Sequence, residues 1–132
     1  MSIKRLATQV AGGTGMAAAM AAFTVVPAHA ADTWVAIYYS RASTVGNTAY
    51  GYANNVPTKE AAMAAANDMC VRNGGTECKM AAVSKNGCAA LAVLWSTNGR
   101  WHGGAGATIE EAEQDALAQN NGGSIFIEKC ST

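Results

Sequence analysis

From Trp34 to Cys130 the chain sets short apolar runs between breaks rich in glycine and asparagine, and it does so twice. "WVAIYYS" (Trp34 to Ser40) is answered by "LAVLWS" (Leu91 to Ser96), "AYGYANNVPTKEAAMAAA" by "RWHGGAGATIEEAEQDALA", and "GGTECKMAAV" by "GGSIFIEKC". Short apolar runs bounded by turn residues read as strands. Between them, Ala62, Ala65, Ala66 and Met69 in the first copy, and Ile109, Ala112 and Ala116 in the second, recur at helical spacing. Each copy therefore predicts strand, strand, helix, strand. One copy cannot bury its own apolar face, whereas two together can make a core. The expected architecture is α+β: two pseudo-repeated strand-strand-helix-strand units, at about 34–88 and 89–130, packed as one small disulfide-stapled domain. The helices, over Thr58 to Arg72 and Thr108 to Gln119, are expected to lay their alanine faces on a shared antiparallel sheet system.

The helix ends carry their own signals. Thr58 and Thr108 stand where a hydroxyl can accept a free N–H of the first turn. Thr108 with Glu111 forms a T-x-x-E capping box, while Ala61 stands in the matching place after Thr58 and Pro57 precedes it. Gly74 with Gly75, and Gly122 with Gly123, suit left-handed C-terminal caps.

The first 30 residues follow a different pattern. Lys4 and Arg5 precede an apolar run from Met16 to Val26, and "AHA" follows, which is the layout of a secretory signal cleaved before Ala31. The run is shorter than the roughly 20 residues a membrane span needs, so a secreted or extracytoplasmic product without a membrane span is expected. Lys4 stands where the twin-arginine route would have a second arginine, which favours general export. Residues 31–132 are the size of one small domain. They carry seven basic residues against nine acidic ones, and with no basic stripe a nucleic-acid partner is disfavoured. Alanine supplies much of the apolar content, so the core is thin.

Cys70, Cys78, Cys88 and Cys130 all lie in this segment. An even count in a small exported chain reads as two disulfides. Zinc competes poorly, because no CxxC occurs and His102 is the only histidine after processing; no metal and no cofactor is expected. Of the three possible connectivities, Cys70 with Cys78 and Cys88 with Cys130 is favoured. The first pair flanks a Gly-Gly turn, and the second ties the start of one strand to the end of the last.

Four features bear on chemistry. "WHGGAG" before a helix invites comparison with a phosphate cradle, but it lacks the lysine of a P-loop and the GxGxxG spacing of a dinucleotide site. Its glycines read as devices that let a helix cross a strand closely. His102 has the intrinsic chemistry of a general base, yet no nucleophile elbow or HExxH accompanies it, so it reads as an exposed histidine whose removal changes little. Glu110, Glu111, Glu113 and Asp115 could pair for glycoside hydrolysis, but acidic residues near a helix N-terminus are favoured by its dipole. Trp34, Tyr38, Tyr50, Tyr52, Trp95 and Trp101 lie on predicted strands, and some could form an exposed stacking surface for a protein or a glycan. Trp101, His102, Tyr50 and Tyr52 are the candidate binding residues; no catalytic residue is assigned.

"WVAIYYS", "YGYANN", "PTKEAAMAAA", "CKMAAVSKNGCAALAV", "GGAGATIEEAEQDAL" and the terminal cysteine together resemble the small secreted actinobacterial proteins of the domain of unknown function 4189 family, known mainly from mycobacteria. "VAIYYS" stands where the family has a GAIAYS-like strand, and the spacing from Ser40 to Tyr50 is long. The resemblance implies an exported, disulfide-linked α+β domain, with some members acting at the host interface, and it supplies no catalytic residues. The expected function is a secreted, non-enzymatic interaction protein at the host or cell-envelope interface, with an unknown protein or glycan as partner. The alternative is a small secreted inhibitor or hydrolase-like enzyme using the Trp101–His102 loop.

Overall fold

The computed structural model describes residues 31–41, 48–95 and 99–131; the leader expected over residues 1–30 lies outside them. Among the described residues the order is β1 (Trp34–Ser40), β2 (Ala49–Val56), α1 (Lys59–Arg72), β3 (Lys79–Lys85), β4 (Cys88–Val93), β5 (Trp101–Gly106), α2 (Ile109–Asn120) and β6 (Ser124–Cys130). The fold is α+β, and strand-strand-helix-strand occurs twice.

The sheets depart from the expected shared system. Each unit builds its own three-stranded antiparallel sheet, ordered β2-β1-β3 and β5-β4-β6. β1 and β4 are each flanked on both sides by strands of their own unit, so neither offers an edge to the other, and the units meet face to face. Val35, Ile37 and Tyr39 of β1 pack with Ala89, Leu91 and Val93 of β4 between the sheets. On the outer faces Ala36 packs on Ala62 and Ala66 of α1, and Ala90 and Ala92 pack on Ala112 and Ala116 of α2. The layers run helix, sheet, sheet, helix. Both central strands are thus covered on both faces, which is why they read as continuous apolar runs rather than as clean alternation. Branched and aromatic side chains fill the middle of the molecule, and alanine lets each helix sit close to its sheet.

Both N-caps form as predicted. Thr58 Oγ1 accepts from Ala61 N at 3.1 Å, and Thr108 Oγ1 accepts from Glu111 N at 3.2 Å. Glu111 Oε1 reaches back to accept from Ala107 N at 3.0 Å. At the other end of α2 the chain turns left-handed at Asn121, with φ 57°, and Gly122 and Gly123 continue at positive φ.

Strand directions and registers sort the molecule into two poles. At one pole Ser131 Oγ donates to Thr33 Oγ1 at 2.6 Å, both helices begin, and Cys88 is bridged to Cys130, its direct partner in the β4–β6 register. At the other pole both helices end, Cys70 is bridged to Cys78 with their Cα atoms 6.1 Å apart, and the ends of all six strands gather around Tyr39. These are the cysteine pairs favoured from the sequence. No helix among the described residues is long and apolar enough to cross a membrane.

Candidate functional site

Aligned by register, the two units show where their sequences diverge. Tyr38 faces Gly51 across β1 and β2, while Ala92 faces His102 across β4 and β5. His102 therefore occupies the place of Gly51. Along the helices, counting from Thr58 and Thr108, Asn120 occupies the place of Cys70. The first unit closes the end of its helix with the Cys70–Cys78 bridge; the second has a polar pair there.

That pair is specific in geometry. Asn120 is fully buried, and its Nδ2 donates to the Gly122 carbonyl at 2.9 Å. This orientation turns Oδ1 toward His102 Nδ1, 2.9 Å away. With the amide oxygen as acceptor, Nδ1 is the donor of this contact. Two residues earlier, Arg100 donates from Nε to the Asn120 carbonyl at 2.6 Å and from its terminal nitrogen to the Asn121 carbonyl at 3.1 Å. A guanidinium on the last carbonyls of a helix also suits its dipole. His102 is exposed as expected, but it is not idle: it and Arg100 clamp the end of α2 to β5. Its contact with a buried amide gives it a structural role that the sequence did not show.

The neighbouring glycines answer to packing. A Cβ on Gly104 would overlap the Ala116 backbone nitrogen and come within 2.7 Å of the Ala112 carbonyl, and one on Gly103 would overlap the Ala81 carbonyl of β3. The first glycine lets α2 cross β5; the second lets the two sheets approach. The N–H groups nearby are already taken, Ala105 N by Asp115 Oδ2 at 3.0 Å and Ala107 N by Glu111. Carboxylates stand where a phosphate would have to sit.

The acidic run divides in the same way. Glu111 and Asp115 hold backbone, whereas Glu113 and Glu110 face Glu128 of β6. The Glu128 carboxyl is held above its ordinary range by a hydrogen bond with Glu113, then by burial and by the charges of Glu113 and Glu110. Among the described residues, no group of three or more histidine, cysteine, aspartate or glutamate side chains is placed to hold a metal ion.

The aromatic residues converge. Tyr39, fully buried, meets Trp101 with ring centroids 5.3 Å apart and Phe126 at 5.8 Å. Phe126 continues to Tyr50 at 5.3 Å and to Trp95 at 5.7 Å, and the Arg41 guanidinium lies 5.7 Å from the centre of the Trp95 ring. Burial pushes the Tyr39 phenol up, while Arg41 and a hydrogen bond with Thr48 oppose the shift. The outermost rings, Trp95 and Phe126, are 40% and 37% exposed. Hydrogen bonds secure the surrounding backbone: Ser40 Oγ accepts from Thr76 N at 3.2 Å and Glu77 N at 3.0 Å, and Asn73 Nδ2 donates to the Tyr50 carbonyl at 2.9 Å.

Of the four candidate binding residues, this cluster unites Trp101 and Tyr50. Tyr52 sits apart, with Lys129 Nζ 4.2 Å from its ring centre. His102, next to Trp101 in sequence, points to the opposite face of β5. Phe126 and Arg41 were missed, and Trp95 was recognised only as a strand aromatic. Phe126 lies between Ile125 and Ile127, and a break in the β4–β6 register there puts Ile125 on the helix side and Ile127 between the sheets. Simple alternation cannot place a residue at such a bulge.

A family model described as Domain of unknown function (DUF4189) matches residues 34–131. The chain is similar to Protein Rv1269c of Mycobacterium tuberculosis (strain ATCC 25618 / H37Rv), at 35% identity over 128 residues that cover 97% of this chain and 94% of the relative. It is similar to the same extent to Protein Mb1300c of Mycobacterium bovis. No solved structure matches.

Proposed function

The chain belongs to the DUF4189 family, and on that premise we propose that it is a secreted, non-enzymatic interaction module acting at the host or cell-envelope interface. The aromatic pole is the contact surface. The observation that carries this reading is the linked cluster of Tyr39, Tyr50, Trp95, Trp101 and Phe126, two of whose rings are exposed. A small domain with a thin alanine core has little structural reason to leave such large rings partly in water, and aromatic residues beside an arginine are favoured contact anchors. The two disulfides are consistent with an extracytoplasmic location.

The alternative, an inhibitor or hydrolase working through Trp101 and His102, has weaker support. The two side chains leave β5 on opposite faces, and one ring nitrogen of His102 is committed to Asn120.

Affinity capture from cell envelope and host lysate with the oxidised protein, run beside Trp95→Ala, tests the module reading. A partner retained by the wild type and lost by the variant is the expected result. Retention of the same partners by both proteins would overturn it.

A further inference from the structure

We propose that the aromatic pole docks an acidic polypeptide segment that bears apolar side chains; this rests on the module reading above and adds the chemistry of the partner. Two observations carry it, the sorting of charge between the poles and the angles between the rings.

Arg41 follows β1, Arg72 closes α1, Lys79 opens β3 and Arg100 precedes β5, so all four lie at the aromatic pole. They include every arginine among the described residues. Opposing them there are Glu77 and Asp68, and Asp68 is paired with Arg72 at 2.9 Å. The far pole holds Asp32, Glu60, Glu110, Glu111 and Glu128 against Lys59, Lys85 and Lys129, and Glu113 and Asp115 lie between the poles, along the middle of α2. Residues 31–132 carry more acid than base in total, yet the aromatic pole is basic. Such a separation of charge orients an incoming anion toward one end of the molecule.

The ring geometry selects between classes of acidic partner. Neighbouring rings in the cluster stand 64°, 68°, 76° and 88° apart. No pair lies parallel, so no row of flat faces exists along which successive sugar rings could stack, and the Arg41 guanidinium stands over the Trp95 ring. What the cluster offers a partner is the exposed part of Trp95 and Phe126. That surface suits aliphatic or aromatic side chains of a polypeptide, and Arg41 on the Trp95 ring with Lys79 at the same pole suits the carboxylates of the same segment. Buried aromatic anchors with flanking arginine are the usual centre of a protein–protein contact.

The test titrates the oxidised full chain with four probes, following tryptophan fluorescence. They are a peptide alternating aspartate or glutamate with leucine or phenylalanine, its lysine-substituted counterpart, its serine-substituted acidic counterpart, and an oligosaccharide of uronic acids. The acidic apolar peptide is expected to bind about tenfold or more tightly than the other three, and more weakly as salt rises. Trp95→Ala and the surface change Lys79→Glu should each weaken it by about tenfold, while Lys85→Gln at the far pole should not. Circular dichroism confirms that each variant is folded; if Trp95→Ala is not, Lys79→Glu decides. Uronate binding in the peptide's place, equal affinity for the basic peptide, absence of peptide binding, or an unchanged affinity in Lys79→Glu would overturn the proposal. If the captured partner depends on Trp95 but the acidic apolar peptide is not preferred, this inference fails and the module reading stands. Peptide binding that survives both Trp95→Ala and Lys79→Glu would count against both.

Discussion

His102 Nδ1 hydrogen-bonds the buried Asn120 amide at the position where, in the first unit, Cys70 is bridged to Cys78. The same helix end is closed covalently in one copy and by the polar contacts of His102 and Arg100 in the other. Two different fastenings thus hold equivalent helices in equivalent places.

Asn120→Ala should cost about 2 kcal/mol of stability, since it removes the partner of His102 and the Gly122 contact and opens a small void. His102→Ala should cost about 1 kcal/mol, the scale of one hydrogen bond with its buried acceptor left to find water. Chemical denaturation of both variants and of the double variant measures their coupling. Additive losses in the double variant would mean that the two side chains do not act as a pair.

Removing the bridges should separate in size. The Cys88–Cys130 bridge spans 42 residues of sequence and Cys70–Cys78 spans 8, so loop entropy assigns them about 4 and about 2.5 kcal/mol. Serine pairs at each site, compared by urea unfolding, should rank in that order. The reverse ranking would show that native contacts around Cys70 outweigh chain entropy.

Gly104→Ala should destabilise by about 2 to 3 kcal/mol, because the added methyl meets helix backbone that can yield only if α2 lifts from β5. Inorganic phosphate at millimolar concentration should not shift the melting of the wild type. A phosphate-dependent stabilisation would return the loop to the class of anion sites.

Glu128 sets a pH dependence. Its carboxyl is raised in the folded protein, so the folded state holds this proton more tightly than the unfolded chain does. The resulting stability is fully present below the unfolded value and is lost as pH rises through the higher folded one. Glu128→Gln should therefore raise the melting temperature at neutral pH by about 2 °C and remove that part of the gain on mild acidification. Identical pH profiles for the two proteins would refute the assignment.

The repeat, the helix boundaries and the caps were legible because each rests on local chemistry: threonine hydroxyls, glycine breaks and alanine at helical spacing. The pairing of the sheets was not. A run such as "CAALAV" announces burial on both faces without saying whether a sheet or a helix covers each one. The site was half legible for a related reason. Trp101 and Tyr50 lie on regular strand positions and joined the cluster through Tyr39 and Phe126, whereas Phe126 sits at a register break and Asn120 looks like any polar helix end until the fold buries it. Arg41 gives no periodic signal at all, since it belongs to the chain leaving a strand.

The contact of Thr33 with Ser131 at 2.6 Å bears on how the domain would respond to force. Its two ends leave from one point, so tension applied between them strains the junction of the termini before it reaches the aromatic pole. Peeling from the C-terminal side is arrested at once, because Cys130 is covalently tied to Cys88. Further extension must draw β1 out from between β2 and β3. An oxidised domain held by its ends therefore yields from the N-terminal side, and the strand it surrenders first is the one that carries Tyr39, the ring on which the whole aromatic cluster is hung.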